Sequence, residues 1–410
     1  MSPFALLDDP ARALSEIRAA GTRIAAYVRR TPCVYSYTFS ESSGSEVHLK
    51  LENLQRTGSF KARGALNKVL GLSAAGIARP QGLIAASAGN HAQGVALAAR
   101  TVGLPATIVM PERTAWIKVQ RTESYGARVV IHGESYDAAQ AHAAELAQRE
   151  QLLLIHPFDD EAIVLGQATV GLEILEDLPE VDAILVPVGG GGLLAGIALA
   201  VRALAPHVRV IGVQARGAAS MVESLRAGAR TAVKPAHTLA DGIRVGLVGE
   251  LTYEIARRCV DECVVVEEAD LLEAQLQTME KSKLVAEPAG AAGIAALIAG
   301  KVFGAKRVCS VVSGGNVDLN LVARMIESGL AASGRTHRIA LRLPDRPGQL
   351  ARVLEVVSAS SSNILDVQHE RSGWKVPVGF VDVEILIETR RPGSGAELDA
   401  LLRERGFELR

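Results

Sequence analysis

Val181-Asp182-Ala183-Ile184-Leu185-Val186-Pro187-Val188-Gly189-Gly190-Gly191-Gly192-Leu193-Leu194 is an apolar run that ends in contiguous glycines. Its aliphatic part reads as a buried strand, and residues 193–204 have the small, apolar texture of a packed helix. Strand, glycines, helix is the layout of an anion cradle. Main-chain N–H groups approach a phosphate where no side chains stand in the way, and the helix start adds a favourable dipole. The spacing matches neither the nucleotide phosphate loop nor Gly-x-Gly-x-x-Gly. A plain tight turn between strand and helix is the alternative reading.

The same alternation runs from about residue 47 to residue 316. Segments 83–86, 106–110, 127–131, 183–188, 208–213, 263–266 and 307–312 read as strands, and the stretches between them carry apolar residues at helical spacing, as in 138–148 and 271–281. This pattern predicts an α/β fold with a mainly parallel sheet covered by helices. After 333–337 the pattern changes. A strand (338–343), a helix (348–360), two strands (364–370 and 378–388), a helix near 397–405 and a short strand at 407–409 follow. The order βαββαβ is that of a ferredoxin-like α+β module. The expected division is 1–332 and 337–410.

Three further polar tips follow apolar runs. Thr57-Gly58-Ser59-Phe60-Lys61-Ala62-Arg63-Gly64-Ala65 places Lys61 where a strand-like run gives way to a helix. An amine desolvated at such a junction has its pKa pulled down and forms a Schiff base with an aldehyde; an ordinary surface lysine is the plainer reading. Ser313, in Ser313-Gly314-Gly315-Asn316, is the first polar side chain past 307–312 and is placed to meet a ring nitrogen. Ser87-Ala88-Gly89-Asn90-His91 follows 83–86 and opens another helix. In open α/β sheets such tips converge at the carboxyl ends of the strands. A reactive lysine, a phosphate cradle and hydrogen-bonding tips in one crevice suit pyridoxal phosphate.

Composition narrows the rest. The 410 residues allow two or three domains, and with 48% hydrophobic but only 4% aromatic residues the core is built from Ala, Val, Leu and Ile. A formal net charge of −1, with no basic block, gives no argument for nucleic acid or an anionic membrane. Asp8, Asp9 and Arg12 interrupt any signal-peptide core, and no apolar stretch reaches membrane-spanning length. Cys33, Cys259, Cys263 and Cys309 show no metal-binding spacing, so buried thiols and a cytoplasmic location are expected, with no resident metal.

Ser59-Phe60-Lys61-Ala62-Arg63-Gly64-Ala65, Ser87-Ala88-Gly89-Asn90-His91, Gly189 to Leu193 and Ser313-Gly314-Gly315-Asn316 together resemble the threonine dehydratases, in that family's order and over nearly the whole chain. These belong to the tryptophan-synthase-β-like, fold type II class of pyridoxal phosphate enzymes. The resemblance implies a two-lobed catalytic unit with the smaller lobe at roughly 40–151. It implies that Lys61 holds the cofactor covalently and then acts as base, that Phe60 packs on the ring and that Asn90 bonds its phenolic oxygen. Gly189, Gly190, Gly191, Gly192 and Leu193 would hold the phosphate and Ser313 would face the pyridine nitrogen. Ser87, Asn90 and His91 would surround the carboxylate of an amino-acid substrate. Threonine, and serine with it, would be deaminated to the 2-oxo acid. Leu343-Pro344-Asp345-Arg346-Pro347-Gly348-Gln349-Leu350 resembles the amino-acid-sensing ACT module, which implies a branched-chain amino-acid effector; a dimerisation module without ligand is the alternative. A homodimer or homotetramer is implied as well.

Two departures matter. Related serine racemases carry a second serine where this chain has Ala88, and a methyl group exchanges no proton. The magnesium-using relatives have carboxylates near 212–220, where this chain has the neutral Gln214 and Ser220, which implies a monovalent cation or none. A dehydratase for another β-hydroxy amino acid, such as a 3-hydroxyaspartate, and a non-catalytic amino-acid sensor remain as competing readings.

Overall fold

The computed structural model describes residues 5–72, 78–371 and 376–410. The chain divides into two compact units, Met1–Asp318 and Leu319–Arg410. The first contains strands β1 (Cys33–Tyr35), β2 (Glu46–Leu51), β3 (Leu83–Ala86), β4 (Ala106–Met110), β5 (Arg128–Ile131), β6 (Leu153–Leu154), β7 (Ala183–Pro187), β8 (Arg209–Ala215), β9 (Glu262–Val266) and β10 (Arg307–Val312). They form a large sheet of order β1-β2-β10-β7-β8-β9 and a small one of order β5-β4-β3-β6. Every pairing is parallel except β1 with β2.

The central strands are buried on both faces, which is why they read as continuous apolar runs. Ile184, Val186, Val210 and Val311 pack on one side with the helices Glu161–Asp177 and Gly192–Leu204. Ala183, Leu185, Ile211, Val213, Val308 and Val312 pack on the other with the helices Glu268–Glu280 and Ala292–Ile298. Each fully buried Leu, Ile or Val stabilises the fold by about 1.5–3 kcal/mol.

The small lobe differs from the expected 40–151. Strand β2 lies in the large sheet, paired with β10 from Glu46↔Arg307 to Leu51↔Val312. Val47, Leu49 and Leu51 turn into the same core layer as Val308 and Val312, so burial draws β2 away from the lobe that follows it in sequence. Residues 153–154 join the small sheet instead, beside β3. The helix Lys61–Leu70 packs Ala62, Ala65, Leu66 and Val69 into the small lobe's core.

In the second unit the helix Leu319–Ala332, which the sequence reading attaches to the catalytic part, groups with the C-terminal residues. Strands β11 (Thr336–Pro344), β12 (Asn363–Glu370), β13 (Phe380–Glu388) and β14 (Glu408–Leu409) form a sheet of order β12-β13-β11-β14. All pairs are antiparallel, and the helices Gln349–Ala359 and Ser394–Glu404 supply the crossovers. This is the ferredoxin-like arrangement.

Candidate active site

The segments carrying Lys61, Gly189–Gly192 and Ser313 follow β2, β7 and β10, and these strands are neighbours in the large sheet. The lysine loop is laced to the Ser313 loop. Ser59 and Gly314 form an isolated antiparallel bridge. The Phe60 N–H donates to Ser313 O at 3.2 Å and the Gly315 N–H to Gly58 O at 2.9 Å. Gly58 has φ +72, and a Cβ there would lie 2.6 Å from Asn316 Oδ1, so left-handed backbone and close approach both require glycine.

Lys61 opens its helix, and its Nζ donates to Pro157 O at 2.7 Å while lying 5.2 Å from the centre of the Phe60 ring. Burial lowers the amine to about 8, against the opposing pull of Glu287. A free lysine titrates near 10.4, so at neutral pH this amine is far more often unprotonated than a solvated one. That is what a nucleophile and a base both need.

The cradle offers unused donors. The Val188 N–H still pairs in the sheet, with Val213 O at 2.9 Å, and the Ala195 N–H makes the first helical bond, to Gly191 O at 2.8 Å. Between them the N–H groups of Gly189, Gly190, Gly191, Gly192, Leu193 and Leu194 find no acceptor among the described residues. The Phe158 ring sits where a Cβ on Gly190 would go, and Gly191 has φ +98. The loop that supplies Pro157 to Lys61 thus also packs on the cradle.

Asn90 opens the helix Asn90–Val102. Its Nδ2 donates to Glu287 Oε1 at 2.7 Å, and its Oδ1 accepts from Asn316 Nδ2 at 2.8 Å. Ser87 Oγ accepts the Gly89 N–H at 3.2 Å. The His91 ring points elsewhere: it is buried, with Nε2 2.8 Å from Ile155 O. Burial, then the Lys61 charge, pushes this imidazole down to about 3, so it is neutral and donates to that carbonyl. What His91 offers an anion is its main-chain N–H in the first helical turn. Ser313 is buried at the end of β10.

Glu287 was not singled out from the sequence. Burial and then Asp241 raise its carboxyl to about 8. The available signal was a lone acid within the small, apolar run Val285-Ala286-Glu287-Pro288-Ala289-Gly290. At the segment expected to bear on a cation, Gln214 is fully committed. Its Oε1 accepts from the Met221 and Val222 N–H groups, and its Nε2 donates to Val188 O and Ala218 O, both at 3.2 Å. No cluster of three or more His, Cys, Asp or Glu side chains is arranged for a metal among the described residues.

Residues 24–314 match the family profile described as pyridoxal-phosphate dependent enzyme. The chain belongs to that family. The L-threonine ammonia-lyase of Thermotoga maritima is 44% identical to this pyridoxal phosphate enzyme over 397 residues, 97% of this chain and 98% of that protein. The L-threonine ammonia-lyase of Geobacter sulfurreducens is 45% identical over 376 residues, 91% and 93% of the two chains. Among solved structures, the threonine deaminase of T.th. superposes with a TM-score of 0.71 at 42% identity, covering 74% of this chain and 98% of that one. The maize serine racemase gives 0.73 at 34% identity, covering 78% and 98%. The site suits the family's cofactor. Consecutive free N–H groups at a helix start fit a phosphate, and a buried, depressed lysine fits an aldehyde. No helix among the described residues is long and apolar enough to cross a membrane.

Proposed function

We propose that this chain deaminates L-threonine to 2-oxobutanoate and ammonia, and L-serine to pyruvate and ammonia. The observation that carries the reading is Lys61. A buried amine lowered to about 8 stands in the same crevice as a cradle of free N–H groups, in a chain alike over its length to L-threonine ammonia-lyases. Lys61 would hold the cofactor covalently, Phe60 would pack on its ring, Asn90 would meet the ring oxygen and Ser313 the ring nitrogen. Gly189 to Leu193 would hold the phosphate. Bound there, pyridoxal phosphate supplies an electron sink conjugated to the substrate's α-carbon.

The protein's own part is positioning and proton transfer. The substrate carboxylate would meet Ser87 and the main-chain N–H groups of Asn90 and His91 in the first turn of the Asn90–Val102 helix, where the dipole favours an anion. The Lys61 amine would take the α-proton, and the β-hydroxyl would depart as water, the proton lost from the α-carbon balancing the one the hydroxyl gains. A serine at the ring nitrogen does not hold a proton there as a carboxylate would. Ser313 there would leave a bound ring a weaker electron sink than a carboxylate would, which suits elimination, where the departing group carries the electrons away.

Ala88 supports elimination over racemisation despite the likeness to serine racemase. Its methyl cannot return a proton to the opposite face of the α-carbon. The ferredoxin-like unit is read as an amino-acid-sensing module whose ligand is a branched-chain amino acid, acting through different affinity for two states of the enzyme. One set of steady-state assays tests these points: L-threonine, L-serine and 3-hydroxyaspartate, with and without isoleucine or valine, with chiral analysis of residual serine. Expected are 2-oxobutanoate from threonine, pyruvate from serine with little D-serine, and a shifted threonine response when the effector is added. Preferred turnover of hydroxyaspartate, or D-serine formed as fast as pyruvate, would overturn the substrate and reaction readings. Unchanged threonine kinetics with either effector would overturn the sensing reading.

A further inference from the structure

The Asn90 amide is held at both ends, and the direction of its bonds is set by a backbone atom. Thr57 O is a main-chain carbonyl and only accepts, so the Asn316 group 2.6 Å from it is the Nδ2 amide. The same nitrogen donates its second hydrogen to Asn90 Oδ1 at 2.8 Å. With Oδ1 used in this way, Asn90 turns Nδ2 to its other side, where it donates to Glu287 Oε1 at 2.7 Å. The other hydrogen of that amide has no acceptor among the described residues. Glu287 is itself fixed: it is 5% exposed, its N–H donates to Gly314 O at 3.0 Å, and a Cβ on Gly314 would collide with Oε1.

We propose that Asn316 and Glu287 are positioning residues that lock the Asn90 amide so that an N–H, and not its carbonyl oxygen, faces the ring oxygen of bound pyridoxal phosphate. This rests on the reading of Asn90 as the partner of that oxygen. An anionic ring oxygen accepts from an N–H and is repelled by a carbonyl. The locked amide therefore favours the deprotonated ring oxygen, and a reversed amide favours an oxygen that keeps its proton. Asp241, Lys118 and Lys61 are the charged groups that act on Glu287. The lock uses Oε1 only as an acceptor, a role open to both protonation states of the carboxyl.

The test needs no turnover. Parent, Asn316→Asp, Glu287→Ala and Glu287→Gln are loaded with pyridoxal phosphate, and their absorbance spectra and cofactor dissociation constants are measured. An aspartate at 316 donates to neither Thr57 O nor Asn90 Oδ1, so Asn90 turns over. The visible band of the lysine-bound cofactor then loses intensity to the near-ultraviolet band, and the dissociation constant rises about tenfold, as for one lost bond to a charged oxygen. Glu287→Ala shows the same change, whereas Glu287→Gln, with an amide oxygen in the same place, keeps the parent spectrum. A parent-like spectrum and affinity in Asn316→Asp overturns the proposal, as does Glu287→Gln behaving like Asn316→Asp; these two variants decide the matter should Glu287→Ala not fold. A parent chain that takes up no cofactor overturns this proposal and the reading beneath it. One that binds cofactor but leaves threonine untouched removes only the substrate assignment.

Discussion

At the scale of a single residue, the proposed chemistry turns on the amine of Lys61. Burial is the larger influence on it, and Glu287 opposes. Capture of an aldehyde needs the unprotonated amine, so the sign is set: the amine is protonated below its pKa and reactive above it. Apoprotein mixed with pyridoxal phosphate should therefore gain visible absorbance at a rate that rises through pH about 8 and levels off above it. A rate still climbing beyond pH of about 9.5 would mean an amine close to its solvated value. Lys61 was legible because its signal is local: Gly58 and Ser59 bend the chain and a helix starts at once. Glu287 and Asn316 carry no such signal. Their roles come from partners at residues 90 and 57, brought near only by the fold.

At the scale of elements, the lysine helix is tied to the large sheet by a buried ion network. Arg63, two residues past Lys61, reaches Glu52 (2.7 and 2.9 Å) and Glu173 (2.6 and 2.9 Å), with Thr169 Oγ1 at 3.1 Å. Lys50 Nζ adds a contact to Glu173 at 2.7 Å. Arg63, Lys50 and Glu52 are fully buried, so each charge depends on the others. Burial pushes Glu52 up, but Arg63 beside it prevails and holds the carboxyl below its ordinary value. A carboxylate lowered on folding stabilises the protein at pH above its unfolded value, and that contribution is lost as the pH falls below it. Removing one partner leaves a bare charge in the core. Arg63→Met should thus cost about 3–5 kcal/mol in denaturant unfolding, and Arg63→Met with Glu52→Gln should cost less than the sum of the two single changes. Additive losses would show that the pair is not coupled. Strands β3, β4 and β10 were legible to the residue, because parallel strands buried on both faces are uninterrupted apolar runs. Strand β1 has three residues and β6 two, too short to show any period, and β2 gave no hint of its sheet because its partner lies some 260 residues away.

At the scale of the molecule, parallel strands of two sheets end in polar tips, and the antiparallel unit Leu319–Arg410 carries no second lysine-and-glycine constellation. The βαββαβ order of that unit was legible from its period-2 strands, while the placement of the helix Leu319–Ala332 with it was not, since an amphipathic helix fits either neighbour. The proposed chemistry draws on residues of the first unit and rests on one side chain, Lys61, that would both anchor the cofactor and move the proton. The most direct test is 2-oxobutanoate production from L-threonine by the cofactor-loaded parent and by Lys61→Ala, with cofactor content measured in both. Steady 2-oxobutanoate and ammonia are expected from the parent, and from Lys61→Ala a loss of at least about a thousandfold, the combined scale of covalent and acid–base contributions, even where the glycine cradle still retains cofactor. Deamination by Lys61→Ala near the parent rate would contradict the role proposed for Lys61.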